Sequence, residues 1–268
     1  LIQKTGVAPV VDLAVRLGLR SYADENSFGD GRSVAQAAKE ENMGAFTLGP
    51  LAVNALELSN VGATLASGGR WCEPNPIKEV LDENGKQVFI DRPACEQAVD
   101  PEVAGALSHG MSKDIIDGTA SASARNNGWS AQTAAKTGTT ESHHSTAFLG
   151  FTRGMSAAPY IYNDGTQSTP LCTQPVRQCQ YGTLFGGNEA ADTWFQAAAG
   201  VPGAAAGGLP PASPAHVRGT KRAALDAVVG QYSSAAKSQL EAQGYVVTLN
   251  TVHGAGAPAP WTVFSVTT

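Results

Sequence analysis

The chain has 268 residues, 42% hydrophobic and 15% charged, enough for one sizeable core and a smaller module. Its formal net charge of −5 argues against a nucleic-acid partner, whose phosphates would want clustered Lys and Arg. No run approaches the ~18 apolar residues needed to span a bilayer and no signal peptide opens the chain, so any membrane anchor is expected upstream of Leu1.

Val7, Val10, Val11, Ala14 and Leu17 recur at helical spacing, which predicts an amphipathic opening helix. Residues 21 to 49, rich in Gly, Asp, Asn and Ser, read as an irregular connection. Pro50 at a first helical position and Gly68-Gly69 beyond the end predict a helix between them. Ile77 to Ile90 is a hairpin candidate, and its Asn84-Gly85 favours a tight type I′ turn. Cys72 and Cys95 bracket that hairpin, so a disulfide across its base is sterically natural. Asp100 as N-cap and Pro101 at the next position start a further helix, expected to reach Ile116.

Strands near 132–139, 145–152 and 157–163 predict an antiparallel sheet, with a helix near 189–199 packed on it. Cys172 and Cys179 sit in a polar loop between these elements, beside Pro170 and Pro175. Four cysteines allow three pairings, between which spacing does not decide; local pairing, Cys72 with Cys95 and Cys172 with Cys179, is the expectation. Such bridges imply an oxidising compartment.

After Gly200 the composition shifts. Residues 201–215 form a Gly, Ala and Pro tract that reads as a linker with little to bury. Beyond it, Ser233 to Gly244 reads as a capped helix ending at glycine. Tyr245 to Val252 and Trp261 to Thr267 then alternate like paired strands.

Chemistry concentrates at Lys136-Thr137-Gly138-Thr139-Thr140, on the first predicted strand of the sheet. Gly138 lets a ligand's backbone come close, because no Cβ stands in the way. Lys136 adds positive charge, and the hydroxyls of Thr137 and Thr139 add short-range donors, a set that suits a carboxylate-bearing substrate laid along the strand. A backbone amide near Thr139 is placed to donate to a developing oxyanion.

Other conspicuous residues read as structural. His143 and His144 are expected in a solvated loop, since no carboxylate or cysteine stands at metal spacing to them. Trp129 reads as a packing residue, and Glu57 and Glu79 as solvated faces. No metal and no cofactor is expected.

Taken with its surroundings, the Lys-Thr-Gly stretch resembles the third motif of the penicillin-interacting enzymes, whose set is Ser-x-x-Lys, Ser-x-Asn and Lys-Thr-Gly. Pro50 to Gly69 resembles the long helix of class A penicillin-binding proteins, ending at a double glycine. Asp117-Gly-Thr-Ala120 is similar to the segment leading into the Lys-Thr-Gly strand, and Phe185-Gly-Gly187 with Trp194-Phe195 to the closing helix. The resemblance covers residues 1 to 200 in the family's order.

That resemblance implies an α/β penicillin-binding, transpeptidase-like domain over 1–200, an antiparallel sheet with flanking helices, incomplete at its N-terminal side. It implies a peptidoglycan D,D-transpeptidase, in which a serine attacks the penultimate D-Ala of a stem peptide and the acyl group passes to an amine. Beta-lactams are trapped as slow acyl-enzymes in that family. Carried over, Lys136 supports the proton network and the substrate carboxylate, Thr137 and Thr139 bind that carboxylate beside Gly138, and the Thr139 amide lies in the oxyanion hole.

The chain departs from the family in one respect. No Ser-x-x-Lys precedes Lys136 and no Ser-x-Asn occurs; Ser234-Ala-Ala-Lys237, far downstream, reads as a chance match. Leu1 to Arg20 resembles the helix pair that follows Ser-x-Asn, so the chain is expected to begin just past its nucleophile, which an upstream fragment of the same protein would carry. Residues 216–268, a helix and two strands, resemble a small α+β PASTA domain, implying either cell-wall contact or a spacer. The expected partners are stem peptides and beta-lactams on the extracytoplasmic, cell-wall side of the membrane. A D,D-carboxypeptidase or beta-lactamase-like hydrolase uses the same wall, and a non-catalytic beta-lactam or muropeptide receptor keeps the fold for binding.

Overall fold

The computed structural model describes residues 1–163, 169–171, 184–251, 261–263 and 265–266, with only the backbone of 218–223 described. Two units emerge, Leu1–Ala212 and Ser213–Thr268. Cys172 and Cys179, with their expected bridge, lie outside the described residues.

The larger unit opens with a short helix, α1 (Ile2–Thr5), and the amphipathic helix that spacing predicts, α2 (Val7–Leu17). The connection expected over 21–49 is less irregular than its composition suggests. Ser33 accepts from the Gln36 amide and starts α3 (Val34–Glu40), whose Ala35, Ala37 and Ala38 are buried. Ala35 and Ala38 pack with Val7, Val11 and Tyr22 in one small core. Small alanines give no strong periodic signal, which is why this helix is hard to read from sequence.

Helix α4 (Ala55–Ala66) begins later than Pro50 implies, because Asn54 accepts from the Glu57 amide and acts as the N-cap. Its end agrees with expectation: Gly68 and Gly69 both adopt positive φ. Glu57 corrects another expectation. Its carboxylate accepts from both the amide (2.8 Å) and the hydroxyl (2.7 Å) of Ser21, tying the Arg20–Ala23 turn to α4. Beside that turn, burial raises the Tyr22 phenol to about 12, with Tyr160 and Glu57 adding to the shift.

After α4 come β1 (Arg70–Trp71), β2 (Val80–Leu81), β3 (Gln87–Val88) and β4 (Glu96–Gln97), in two antiparallel pairs, β1 with β4 and β2 with β3. Cys72 and Cys95 are joined by a disulfide at the base of the hairpin. The turn differs from the expected type I′. Leu81 pairs with Gln87, and the Asp82 amide bonds Lys86 O, leaving Glu83, Asn84 and Gly85 as a three-residue loop. Only Gly85 in that loop has positive φ, and the Asp82 carboxylate satisfies the Asn84 and Lys86 amides. Arg20 braces this region through an ion pair with Glu96 and a guanidinium 3.8 Å from the Trp71 ring centroid. Burial, then the charge of Arg16, lowers its pKa.

Helix α5 (Pro101–Met111) starts as predicted, with Asp100 accepting from the Glu102 amide, and stops short of Ile116 in a series of turns. Helix α6 (Ser121–Asn126) leads to the sheet, formed by β5 (Ala134–Thr139), β6 (Ser145–Phe151), β7 (Ser156–Ala157) and β8 (Tyr160–Tyr162). β5 and β6 pair antiparallel, and both β7 and β8 pair with β6. The single strand expected over 157–163 is thus split. Pro159 has no amide to donate, though its carbonyl still accepts from the Phe148 amide.

Side-chain alternation divides the sheet into two faces. Ala134, Leu149 and Phe151 pack with Leu65 of α4 and Ala104 of α5. Ala135 and Phe148 pack on the other face with Ala120, Ala124, Trp194 and Phe195. The latter aromatics belong to α7 (Ala191–Gly200), which follows a π-turn over Gly186–Ala190. Trp194 Nε1 donates to Gly150 O at 2.9 Å, and a Cβ on Gly150 would lie 2.7 Å from the Trp194 ring. Phe148, Phe151 and Phe195 are fully buried, and each such side chain contributes about 1.5–3 kcal/mol.

The Gly, Ala and Pro tract buries more than its composition implies. Ala204 is 1% exposed in the aromatic core, and its carbonyl accepts from Thr152 Oγ1. Leu209 packs against the opposite core, and its amide donates to Gln132 Oε1 at 3.1 Å. Backbone packs on backbone along it: a Cβ on Gly154 would lie 2.0 Å from Gly203 O, and one on Gly105 1.9 Å from Pro211 O. Residues 203–211 therefore act as a strap on this unit.

The smaller unit contains α8 (Pro214–Asp226), which sequence spacing did not reveal, and the expected α9 (Ser233–Ala242). Leu225, Val228, Ala236 and Leu240 form its core, with Tyr245, Val247, Val263 and Val266 against it. Among the described residues, Tyr245 to Asn250 forms no strand paired with Trp261 to Val263 as alternation suggested. Instead Thr262 bridges to Tyr232, and Val263 exchanges backbone bonds with Gly230 and Gln231.

Candidate active site

β5 ends the sheet on its side among the described strands, so one of its edges is open. The Thr140 amide donates to Ser145 O at 3.0 Å, which sets the ladder's alternation. Gly138 and Lys136 share the parity of Thr140 and direct their amides and carbonyls towards β6. Thr137 and Thr139 direct theirs to the open edge. Lys136 Nζ agrees, since it reaches round to donate to Thr137 O at 2.8 Å.

The side chains alternate independently of the edges. Lys136 and Gly138 lie on the α4 and α5 face, and Thr137 and Thr139 on the α7 face. Lys136, Gly138 and Thr139 are exposed and Thr137 is half-buried. A Cβ on Gly138 would meet nothing closer than 3.9 Å, so the protein's own packing does not demand glycine there. The absence of a side chain leaves that part of the strand open.

Two turns back the threonines. Thr139 Oγ1 accepts from the Gly186 amide at 3.1 Å. A Cβ on Gly186 would lie 2.3 Å from Ala147 O and 2.4 Å from Gly138 O, and one on Gly187 would lie 2.4 Å from Thr119 O. The double glycine is what lets the π-turn sit directly on the strand pair. Thr137 Oγ1 lies 2.7 Å from Thr119 Oγ1, which lies 2.7 Å from Asp114 Oδ1. Gly118 lets that turn close, since its Cβ would fall 2.6 Å from Asp114 Cα. Neither Asp114 nor Thr119 carries a chemical signal of its own in the sequence; Gly118, Gly186 and Gly187 are the visible signs of the close packing.

The remaining candidates have surroundings of their own. His143 is half-buried rather than solvated: its ring meets Phe185 edge-on at 4.8 Å, and its carbonyl accepts from the Leu171 amide. His144 is likewise half-buried. Trp129 packs edge-on against Trp194 at 5.3 Å and donates to Thr133 Oγ1, as a core residue. Glu79 is exposed. Ser234 and Lys237 lie on α9 in the smaller unit, where Lys237 pairs with Glu241 at 3.7 Å. Among the described residues no group of His, Cys, Asp and Glu could hold a metal ion, and no helix is long and apolar enough to cross a membrane.

Residues 9–153, which include Asp114, Thr119 and all of β5, match the profile of the penicillin-binding protein transpeptidase domain. The chain belongs to this family. Penicillin-binding protein 1B of Vibrio cholerae is 26% identical over 165 residues, 61% of this chain and 20% of that protein. Among solved structures, PonA1 of Mycobacterium tuberculosis, in complex with penicillin V, superposes with a TM-score of 0.59 at 22% identity. The match covers 78% of this chain and 54% of that one. Penicillin-binding protein 1A of Haemophilus influenzae gives 0.53 at 17% identity, over 78% of this chain and 33% of that one. The transpeptidase-domain fold, an antiparallel sheet between helices, is therefore shared with class A penicillin-binding proteins. The chain spans about a fifth of the curated relative's length and about half of PonA1.

Proposed function

We propose that this chain supplies the Lys-Thr-Gly wall of a serine acyl-transfer site that cross-links peptidoglycan stem peptides. A serine attacks the penultimate D-Ala carbonyl, the terminal D-Ala leaves, and an amine of a neighbouring strand takes the acyl group. The observation that carries this reading is the open edge of β5, where the Thr139 amide points outward beside Lys136 and the exposed Gly138. An outward amide at a strand edge is the donor that an oxyanion needs. The binding wall is Lys136, Thr137, Gly138 and Thr139.

The nucleophilic Ser-x-x-Lys and the Ser-x-Asn lie on a segment outside this sequence, since neither motif precedes Lys136. Penicillin V bound to the similarly folded PonA1 supports beta-lactams as ligands of the completed site. The Cys72–Cys95 disulfide supports an extracytoplasmic, cell-wall location. Residues 216–268 serve as a PASTA-like module that contacts the wall or spaces the domain from it.

Labelling the full-length protein with a fluorescent penicillin, followed by peptide mapping, tests the assignment. The label should fall on a serine outside this sequence and spare Ser234; label on Ser234 would overturn it.

A further inference from the structure

The turn that backs Thr139 is itself held from α6, by one hydroxyl. Ser123 is 4% exposed, and its Oγ donates to Gly187 O at 2.8 Å, across 64 positions of sequence. A buried hydroxyl in a helix ordinarily bonds a carbonyl of the preceding turn. Ser108 and Thr64, both buried, do so at Ala104 O and Asn60 O. Ser123 instead sends its single proton to another element.

Its target is a pair of residues with nothing of their own to hold them. Gly186 and Gly187 have no side chains and the widest backbone freedom, and they open a π-turn, a rare form that occurs often at functional sites. The two ends of the pair are pinned separately. The Gly186 amide donates to Thr139 Oγ1 at 3.1 Å, and the Gly187 carbonyl accepts from Ser123. Among the described residues these are the only side-chain hydrogen bonds made to the pair. The base of the strut is fixed in turn, since Asn127 Nδ2 donates to Ser123 O at 2.9 Å and to Asp192 Oδ1 of α7 at 2.8 Å.

We infer that Ser123 is a positioning residue for the acyl-transfer site: by holding the Gly187 carbonyl it sets the direction of the Gly186 amide, and so keeps the Thr139 hydroxyl in place on β5. This rests on the acyl-transfer reading proposed above. The Ser123 hydroxyl bonds neither Lys136 nor the threonines of the wall, so its action passes through the two glycines.

The test is a double-mutant cycle on the rate at which a fluorescent penicillin acylates the full-length protein. Ser123→Ala removes the donor, and Ser123→Cys keeps nearly the same shape with a much weaker one. With Thr139 intact, each should slow acylation by about tenfold, within what a small displacement of a binding group costs. In the Thr139→Val background no hydroxyl is left to position, so each should slow it further by less than about twofold. A role confined to the packing of α6 would slow both backgrounds by the same factor. Equal slowing in the two, or no slowing with Thr139 intact, in whichever of Ser123→Ala and Ser123→Cys folds by its melting curve, overturns the inference alone. Failure of the unaltered protein to acylate at all would overturn the acyl-transfer reading, and the inference with it.

Discussion

The Gly186 amide donates to Thr139 Oγ1 across 3.1 Å, joining residues 47 positions apart and fixing the back of β5 to the start of the closing helix. One threonine thus faces two ways: its hydroxyl is held by the π-turn while its amide points to the open edge.

Replacing Thr139 by Val removes the hydroxyl, keeps the shape and leaves the Gly186 amide unpartnered. If the Thr139 hydroxyl stabilises charge in the transition state, beta-lactam acylation should slow by about ten- to a thousandfold. Stopped-flow or gel-based labelling of the full-length protein measures this. An unchanged rate would remove the Thr139 hydroxyl from the site and leave only its amide, which valine keeps.

Helix α5 contains two glycines with opposite surroundings. A Cβ on Gly105 would lie 1.9 Å from Pro211 O, whereas one on Gly110 would meet nothing within 4 Å. Gly105→Ala should therefore cost about 1–3 kcal/mol by displacing the strap. Gly110→Ala, at an unstrained helical position, should gain about 0.5–1 kcal/mol. Denaturant unfolding of the two variants checks the pair, and a strap that is only a loose connection would leave Gly105→Ala near neutral.

Tyr22 makes stability depend on alkaline pH. Its phenol titrates at about 12 in the folded chain against an ordinary value of 10.0, with burial the leading cause. Because the folded pKa is the higher one, the folded state holds the proton more tightly. The contribution is complete below pH 10.0 and is lost as pH rises through about 12. Tyr22→Phe should flatten the fall in unfolding free energy across that window, as read from denaturant midpoints. An equal fall in both proteins would show that the phenol is not the group responsible.

Elements with strong local signals were legible in the sequence. Val7, Val11 and Leu17 mark a helix because apolar residues repeat along one face. Asp100-Pro101 marks a helix start because both residues act on the first turn, and Gly68-Gly69 marks a helix end because glycine tolerates positive φ. The less legible elements depend on distant partners. Helix α3 is held by small alanines whose burial comes from α2 and its neighbours, Asn54 displaces Pro50 as the visible start of α4, and Pro159 splits a strand whose residues otherwise alternate well. The strap shows the limit of composition most plainly, since Gly and Pro spell a linker until Ala204 and Leu209 find pockets to fill.

At the site, residue types and their order determined that Lys136, Thr137, Gly138 and Thr139 stand together on a strand and that the family is the penicillin-binding one. Periodicity of two sufficed for the strand, because it is a property of the backbone alone, while the family came from the resemblance of the motifs and their order. What each hydroxyl meets was decided only in the folded chain. A threonine hydroxyl has one proton and no fixed direction, so its neighbours come from distant turns that no local pattern announces: the Gly186 amide for Thr139, and the Thr119 hydroxyl for Thr137.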